Sequence, residues 1–110
     1  FWESEPRPQA VAVTEILLAA RWDKALAEAL RPVAEAIEVE IDNQVKSVAE
    51  RAGARDIDAC LVHARVLILS LRGITLELMY DPERAVIHRA LEQLRQSHIQ
   101  HCNEMLTKRF

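Results

Sequence analysis

The sequence predicts an all-α domain, a bundle of about five helices, and three observations indicate this class. Half of the 110 residues are hydrophobic, yet only 5% are aromatic, with two glycines and four prolines, a composition that favours helices over sheets. The longest apolar run, residues 57–80, repeats its polar positions every seven residues, which is a helical period. Helix start signals precede the other apolar stretches. The length corresponds to one domain, residues 1–110.

The first helix is predicted from about Pro8 to Arg21, after an extended lead-in. Proline suits a first helical turn because that position needs no N–H donor. The helix is apolar on nearly all sides, which is typical of a central helix. Its one mixed sector contains Thr14, Leu18 and Trp22. Two interpretations stay open: this sector faces water, or it lines a cavity with Trp22 as one wall.

Two more helices are predicted before the long apolar run. Asp23 is a favoured N-cap residue and starts a short helix that ends at Leu30. Pro32 then starts a third helix, which runs to about Ala52, because proline is tolerated in a first turn and interrupts a helix interior. Gly53 follows at the position where a left-handed residue commonly ends a helix.

The third helix carries an apolar stripe that includes Ile37 and Ile41. Gln44 lies within this stripe, where an aliphatic residue is the ordinary choice. A buried amide needs hydrogen-bond partners. Either the protein itself satisfies Gln44 or the amide contacts a ligand.

The helix from Ile57 to Tyr80, which Asp56 can cap, has two separate apolar surfaces. Its polar residues fall on two lines at about 100° per residue: His63, Ser70 and Glu77 on one, and Asp58, Arg65 and Arg72 on the other. The narrow strip between them, called the seam below, consists of Val62, Val66, Leu69, Gly73, Leu76 and Tyr80. The wide arc on the opposite side includes Cys60, Ala64, Leu67, Leu71 and Leu78. The arc suits the core of one subunit, and the seam predicts contact with a second copy.

Gly73 lies in the middle of the seam. Glycine within a helix costs up to about 1 kcal/mol relative to alanine. A missing side chain at this point would let another helix approach closely, although a neutral glycine is the alternative.

The last helix is predicted from Pro82 to about Lys108, so the two long helices form an antiparallel hairpin. Together with the seam, its apolar stripe forms the predicted homodimer interface. That interface comprises Val62, Val66, Leu69, Gly73, Leu76, Ile87, Leu91, Leu94, His98, His101 and Met105.

Chemistry is sparse in this sequence. His98, His101 and Cys102 have a spacing that could hold a metal, but two histidines in a helix interface are the stronger interpretation, and we expect no metal and no cofactor. His63 has no nucleophile or acid at catalytic spacing, since Ser70 is about 10 Å away along the helix. No phosphate loop or nucleophile motif is present. The sequence therefore gives no support for an enzyme.

Charge and cysteine content limit the partners and the location. The net charge is −3 without a basic block, which gives no support for nucleic-acid binding by this segment. Both cysteines fall in helical patterns and nothing resembles a signal peptide, so we expect a cytoplasmic protein. Residues 57–80 could span a membrane by length, but their charges would be costly in lipid. We also expect a piece of a longer protein, because residue 1 is Phe1.

The segment ARVLILSLRGITLELMYDPE, together with EILLAARWDKALAEALRPVAEAI upstream, resembles the C-terminal half of TetR-family transcriptional regulators. The resemblance covers nearly the whole chain and rests on the helix order, the LRG of the penultimate helix and the DPE turn. It implies an all-α regulatory domain whose last two helices, Ile57–Tyr80 and Pro82–Lys108, form a four-helix bundle with a second subunit. It also implies a ligand cavity, and DNA binding only through an N-terminal domain that this chain lacks.

The sequence thus predicts the effector-sensing and dimerisation domain of a TetR-like regulator, with a small hydrophobic or aromatic effector. The predicted pocket comprises Thr14, Leu18, Trp22, Ile37, Ile41, Gln44, Leu67 and Leu71. Two alternatives remain: a helical dimerisation domain without a cavity, and a small enzyme or metal protein that uses His98, His101 and Cys102.

Overall fold

The computed structural model describes residues 8–106, and this range contains four α-helices and no strand. The helices are α1 (Pro8–Ala19), α2 (Lys24–Arg51), α3 (Ile57–Tyr80) and α4 (Ala85–Leu106). The all-α prediction is confirmed. The described range has one helix fewer than the five predicted, because the second and third predicted helices are one continuous helix.

Pro32 lies inside α2 and does not end it. The prediction of a break at this residue was wrong. Asp23 does cap the helix, since its carboxylate accepts a hydrogen bond from the N–H of Leu26 at 3.0 Å. Pro32 and Glu28, whose carbonyl loses its N–H partner at the proline, are both exposed, so water can bond that carbonyl, which lowers the cost of continuing the helix.

The connection between α2 and α3 is fixed by local signals that the sequence analysis identified. Gly53 has φ +72°, and its N–H donates to the carbonyl of Glu50 at 3.1 Å while that of Ala54 donates to Ala49 at 2.9 Å. This pair of bonds is a Schellman motif. Asp56 then caps α3 by accepting from the N–H of Ala59 at 3.0 Å.

The helices α3 and α4 form the predicted antiparallel hairpin. Near the turn, the Arg84 guanidinium donates to Glu77 at 2.8 Å and to the Tyr80 hydroxyl at 3.0 Å, and the Tyr80 hydroxyl donates a short hydrogen bond to Glu77. The hydrogen bond from Tyr80, followed by the charge of Arg84, lowers the pKa of Glu77. Pro82 belongs to the turn, and α4 begins three residues after it.

The helix at the centre of the subunit is α3, which contacts α1, α2 and α4. Its wide arc faces these neighbours, and Leu67 and Leu78 are buried there. Arg65, at the edge of the arc, pairs with Glu38 and Asp42 of α2, both at 3.3 Å. The division of α3 into an inner arc and an outer seam is therefore present in the fold.

The α1 helix is more peripheral than the sequence predicted. Only Thr14 is buried, and its hydroxyl donates to the carbonyl of Ala10 at 2.8 Å within the same helix. Val13, Ile16 and Leu17 are exposed although α1 contacts α3. The prediction of a central α1 was wrong because α3 occupies that position, so one chain covers α1 on one side alone.

The chain is flattened, measuring 53 × 36 × 17 Å along its principal axes. Its radius of gyration is 16.2 Å, against roughly 13 Å for a compact domain of this length. Consequently few residues are buried: Ala49, Leu67, Leu78 and Leu91 form the apolar core of the described residues.

Candidate functional site

One end of the bundle contains an apolar groove of about 430 Å³. It lies where the C-terminal part of α2, the N-terminal part of α3 and the C-terminal part of α4 meet. Its aliphatic walls include Val45, Val48, Ala49, Ala64, Leu67 and Met105. A volume of this size falls within the range of small-molecule sites. This region is called the groove below.

Three histidines from two helices meet in the groove. The His63 and His101 rings are stacked with centroids 3.8 Å apart and planes within 6°. His63 Nε2 is 2.9 Å from His98 Nδ1, so one of these nitrogens donates a hydrogen bond to the other. Burial, followed by the neighbouring His101 and His98, lowers the pKa of His63. This group is called the imidazole cluster below.

Two thiols lie beside the imidazole cluster. Cys102 Sγ is 3.7 Å from His98 Nε2, and Cys60 lines the groove on the opposite helix. Burial raises the pKa of the Cys60 thiol, and Asp56 and Cys102 raise it further. A raised pKa keeps Cys60 as a neutral thiol near pH 7, which is the less reactive form.

The geometry of the rings does not suit a metal ion. The lone pairs of the ring nitrogens lie in the ring planes, and the planes of the stacked rings are nearly parallel, so lone pairs from different rings do not readily converge on one point. Residues 8–106 contain no group of three or more His, Cys, Asp or Glu arranged to hold a metal. His88 donates a hydrogen bond from Nε2 to the Pro82 carbonyl oxygen at 2.6 Å. It lies about 20 Å from His101 along α4.

The predicted ligand residues are not brought into one cavity within a single chain. Gln44 and Leu67 line the groove, while Ile37, Ile41 and Gln44 line a second depression of about 510 Å³ along α2 alone. Thr14, Leu18, Trp22 and Leu71 line neither of these two.

Two of these residues differ from expectation in their surroundings. Trp22 is 85% exposed, with the Arg21 guanidinium 5.4 Å from its ring centre, so it lines no cavity formed by residues 8–106. Gln44 is exposed, and its amide donates to Glu40 at 3.1 Å. Its side chain is satisfied on the surface of α2, at the edge of the groove, so the expected buried amide is not found.

The seam of α3 is uncovered along its whole length. Val62 is 65% exposed, Val66 53% and Leu69 54%, and Gly73, Leu76 and Tyr80 are also exposed. A Cβ placed on Gly73 would meet nothing within 4 Å, so no contact among residues 8–106 requires a glycine there. The remaining predicted interface residues, on α4, are half-buried or buried: Ile87, Leu91, Leu94, His98, His101 and Met105. The two parts of the predicted interface thus differ in how accessible they are.

The sequence analysis placed His63 on the polar border of the seam and did not connect it with His98 and His101. A signal for this connection existed. In an antiparallel hairpin, residues equally far from the turn lie at the same height. His63 is 18 residues before Asp81, and His101 is 17 residues after Arg84.

No family model matches this chain, and no curated protein or solved structure shows significant similarity to it. The resemblance to TetR-family regulators therefore stays a prediction. Among the described residues, the groove and the exposed seam are the two features that bear on function.

Proposed function

We propose that this chain is a ligand-sensing, self-associating helical module of the kind found in the regulatory half of TetR-type transcriptional regulators. The observation that carries the proposal is the double role of α3. Its wide arc contributes Cys60, Ala64 and Leu67 to the groove, and His63 joins them from the polar line beside the arc, while its seam stays exposed on the other side of the same helix.

The groove supports the sensing half of the proposal. Its size and aliphatic walls suit a small hydrophobic or aromatic effector. The groove replaces the pocket that we predicted between the earlier helices, and Gln44 and Leu67 belong to both. In this proposal DNA is contacted only by a separate N-terminal domain, and the protein acts in the cytoplasm without an enzymatic step or a cofactor.

The seam supports the self-association half. A contiguous apolar strip on an exposed helix face commonly marks a protein interface. Polar side chains border it on both sides, and four of them are charged, Asp58, Arg65, Arg72 and Glu77; helix pairs commonly use such flanking charges to set register. An effector that prefers one arrangement of the dimer would shift the population of that arrangement.

A membrane role has one specific observation in its favour. Ile57–Tyr80 is, among the described residues, the single helix long and apolar enough to cross a membrane by length and composition, with a hydropathy of 1.6 and 6% of the best window buried. Four charged residues on α3 weigh against insertion, and Arg65 is paired with α2. Flotation of the purified chain with neutral vesicles would favour the membrane role; recovery of the chain with the vesicle-free fraction supports the proposal.

Calorimetric titration with 1-decanol, used as an apolar probe, tests the sensing role. We expect saturable binding to the wild-type chain and a rise in melting temperature with probe concentration. Ala64→Leu narrows the groove and should weaken binding, whereas Ala34→Leu makes the same change on the exposed surface of α2 and should not. If both variants bind the probe equally, the groove is not the binding site. The chain is then better described as a dimerisation domain that has no ligand cavity.

A further inference from the structure

Apart from Gln44 at its edge, the polar groups of the groove are concentrated at one place. The walls are aliphatic, and the imidazole cluster lies on the α3 and α4 side with the two thiols beside it. A ligand that fills the groove therefore needs an apolar body and one polar end near the imidazoles. The position of this polar end is fixed by His63, which contacts both of the other rings.

The imidazole cluster retains hydrogen-bonding capacity. One bond joins His63 to His98 at 2.9 Å. Among residues 8–106, the His101 ring nitrogens have no hydrogen-bond partner, although this ring stacks on His63 and is half-buried. A neutral imidazole has one donor N–H and a protonated imidazole has two. The cluster can therefore donate to an acceptor in the groove.

The groups that face the imidazole cluster favour an anionic acceptor over a cationic one. From α3 these groups are His63 itself and the Cys60 thiol, and from α4 they are His98, His101 and the Cys102 thiol. The α2 residues that line the groove are uncharged. Asp56 is the nearby acid, and it acts on Cys60. Neighbouring imidazoles oppose protonation of each other, and a negative charge placed between them removes that penalty.

We propose that the groove binds amphipathic carboxylates, with the carboxylate held by the imidazoles of His63 and His101 and the apolar chain along the aliphatic walls. This assignment of a ligand class rests on the proposed function, because it concerns the same groove. Binding is coupled to proton uptake by the imidazole cluster. In the empty groove burial and the two neighbouring rings lower the pKa of His63, and the bound carboxylate raises it again.

The test uses three probes that share one alkyl chain and differ in the polar end: sodium decanoate, 1-decanol and decylammonium chloride. Each probe is titrated calorimetrically into the full protein chain. We expect decanoate to bind on the order of tenfold more tightly than decanol, because a charge-assisted hydrogen bond is stronger than a neutral one. Its affinity should fall as the pH rises from about 6 to about 8, and decanol affinity should stay constant. Titration in buffers of different ionisation enthalpy should show uptake of about one proton with decanoate.

Matched variants distinguish the imidazole cluster from histidines in general. His101→Gln should remove the preference for decanoate and retain decanol binding, and His63→Gln should do the same if that variant folds. His88→Gln makes the same change on the far end of α4 and should keep the wild-type preference.

Equal affinity for decanoate and decanol would overturn the carboxylate assignment and leave the sensing role intact. Preference for decylammonium, or stabilisation by Zn²⁺ that exceeds any effect of decanoate, would also overturn it. Absence of binding by all three probes would overturn the proposed function itself.

Discussion

The two faces of α3 have similar composition and opposite surroundings. On the wide arc, Leu78 is 3% exposed and Leu67 7%, whereas on the seam Leu69 is 54% exposed. The same residue type therefore contributes to the subunit core on one face and has no cover on the other. The angular position of a residue therefore decides which surface it joins, and the seam is surplus to what one subunit needs.

Replacing the same residue type on each face should give the largest contrast. Leu78→Ala is expected to lower the free energy of unfolding by about 2–5 kcal/mol, because it removes buried methyl groups and leaves a cavity. Leu69→Ala, made on the seam, should change the unfolding of the isolated subunit by less than about 0.5 kcal/mol. Urea denaturation at low protein concentration measures both. A comparable loss in the two variants would contradict the assignment of the seam as uncovered.

Gly73→Leu should separate self-association from folding. A Cβ added at this position meets nothing within 4 Å among the described residues, and helix propensity favours leucine over glycine, so the subunit should remain folded. A second helix approaching the seam would collide with it, and the dimer dissociation constant should rise on the order of tenfold or more. Gln93→Leu adds the same side chain to an exposed position on α4 and serves as the control. An unchanged dissociation constant in Gly73→Leu would place the interface elsewhere.

The acid stability of the chain should depend on the imidazole cluster. The pKa of His63 is lowered in the folded chain by burial, His101 and His98, so below the ordinary value of about 6.5 the unfolded chain binds more protons. The free energy of unfolding should therefore fall as the pH drops through that range.

Urea denaturation at about pH 7.5 and about pH 5.5 measures this dependence. His63→Gln should reduce it, and His88→Gln should leave it as in the wild type. If the free energy of unfolding of His63→Gln changes with pH as much as that of the wild type, the imidazole cluster is not the source of the pH dependence.

Arg65→Ala should have the smallest effect on the inner face. Its two ion pairs with Glu38 and Asp42 join α3 to α2, but all three side chains are partly exposed to solvent, so we expect a loss of at most about 1 kcal/mol. Added salt should reduce this difference. Arg95→Ala removes an ion pair within α4 alone and should cost less. A loss of several kcal/mol for Arg65→Ala would mean that the α2–α3 contact depends on charge more than on apolar burial.

The sequence was sufficient where the signals are local. The bounds Ile57–Tyr80, the cap at Asp56 and the left-handed Gly53 were predicted and are confirmed, since a cap or a glycine acts on its own helix end. The periodicity of α3 also identified the arc and the seam, because angular position follows from helical geometry.

Features that depend on surroundings were less predictable. Pro32 interrupts a helix in principle, but its exposed position lets α2 continue. The sequence left open whether Trp22 faces water or lines a cavity, and Trp22 is exposed. The imidazole cluster joins His63 to His98 and His101 across the hairpin, a contact that requires the register of α3 against α4.

Whether the seam of α3 joins two subunits is tested most simply by the molecular mass of the chain in solution. Sedimentation equilibrium of the 12.5 kDa chain should be carried out at micromolar concentration in dilute buffer. We expect twice the mass of one chain, with reversible dissociation on dilution. A species with the mass of a single chain throughout that concentration range would contradict it.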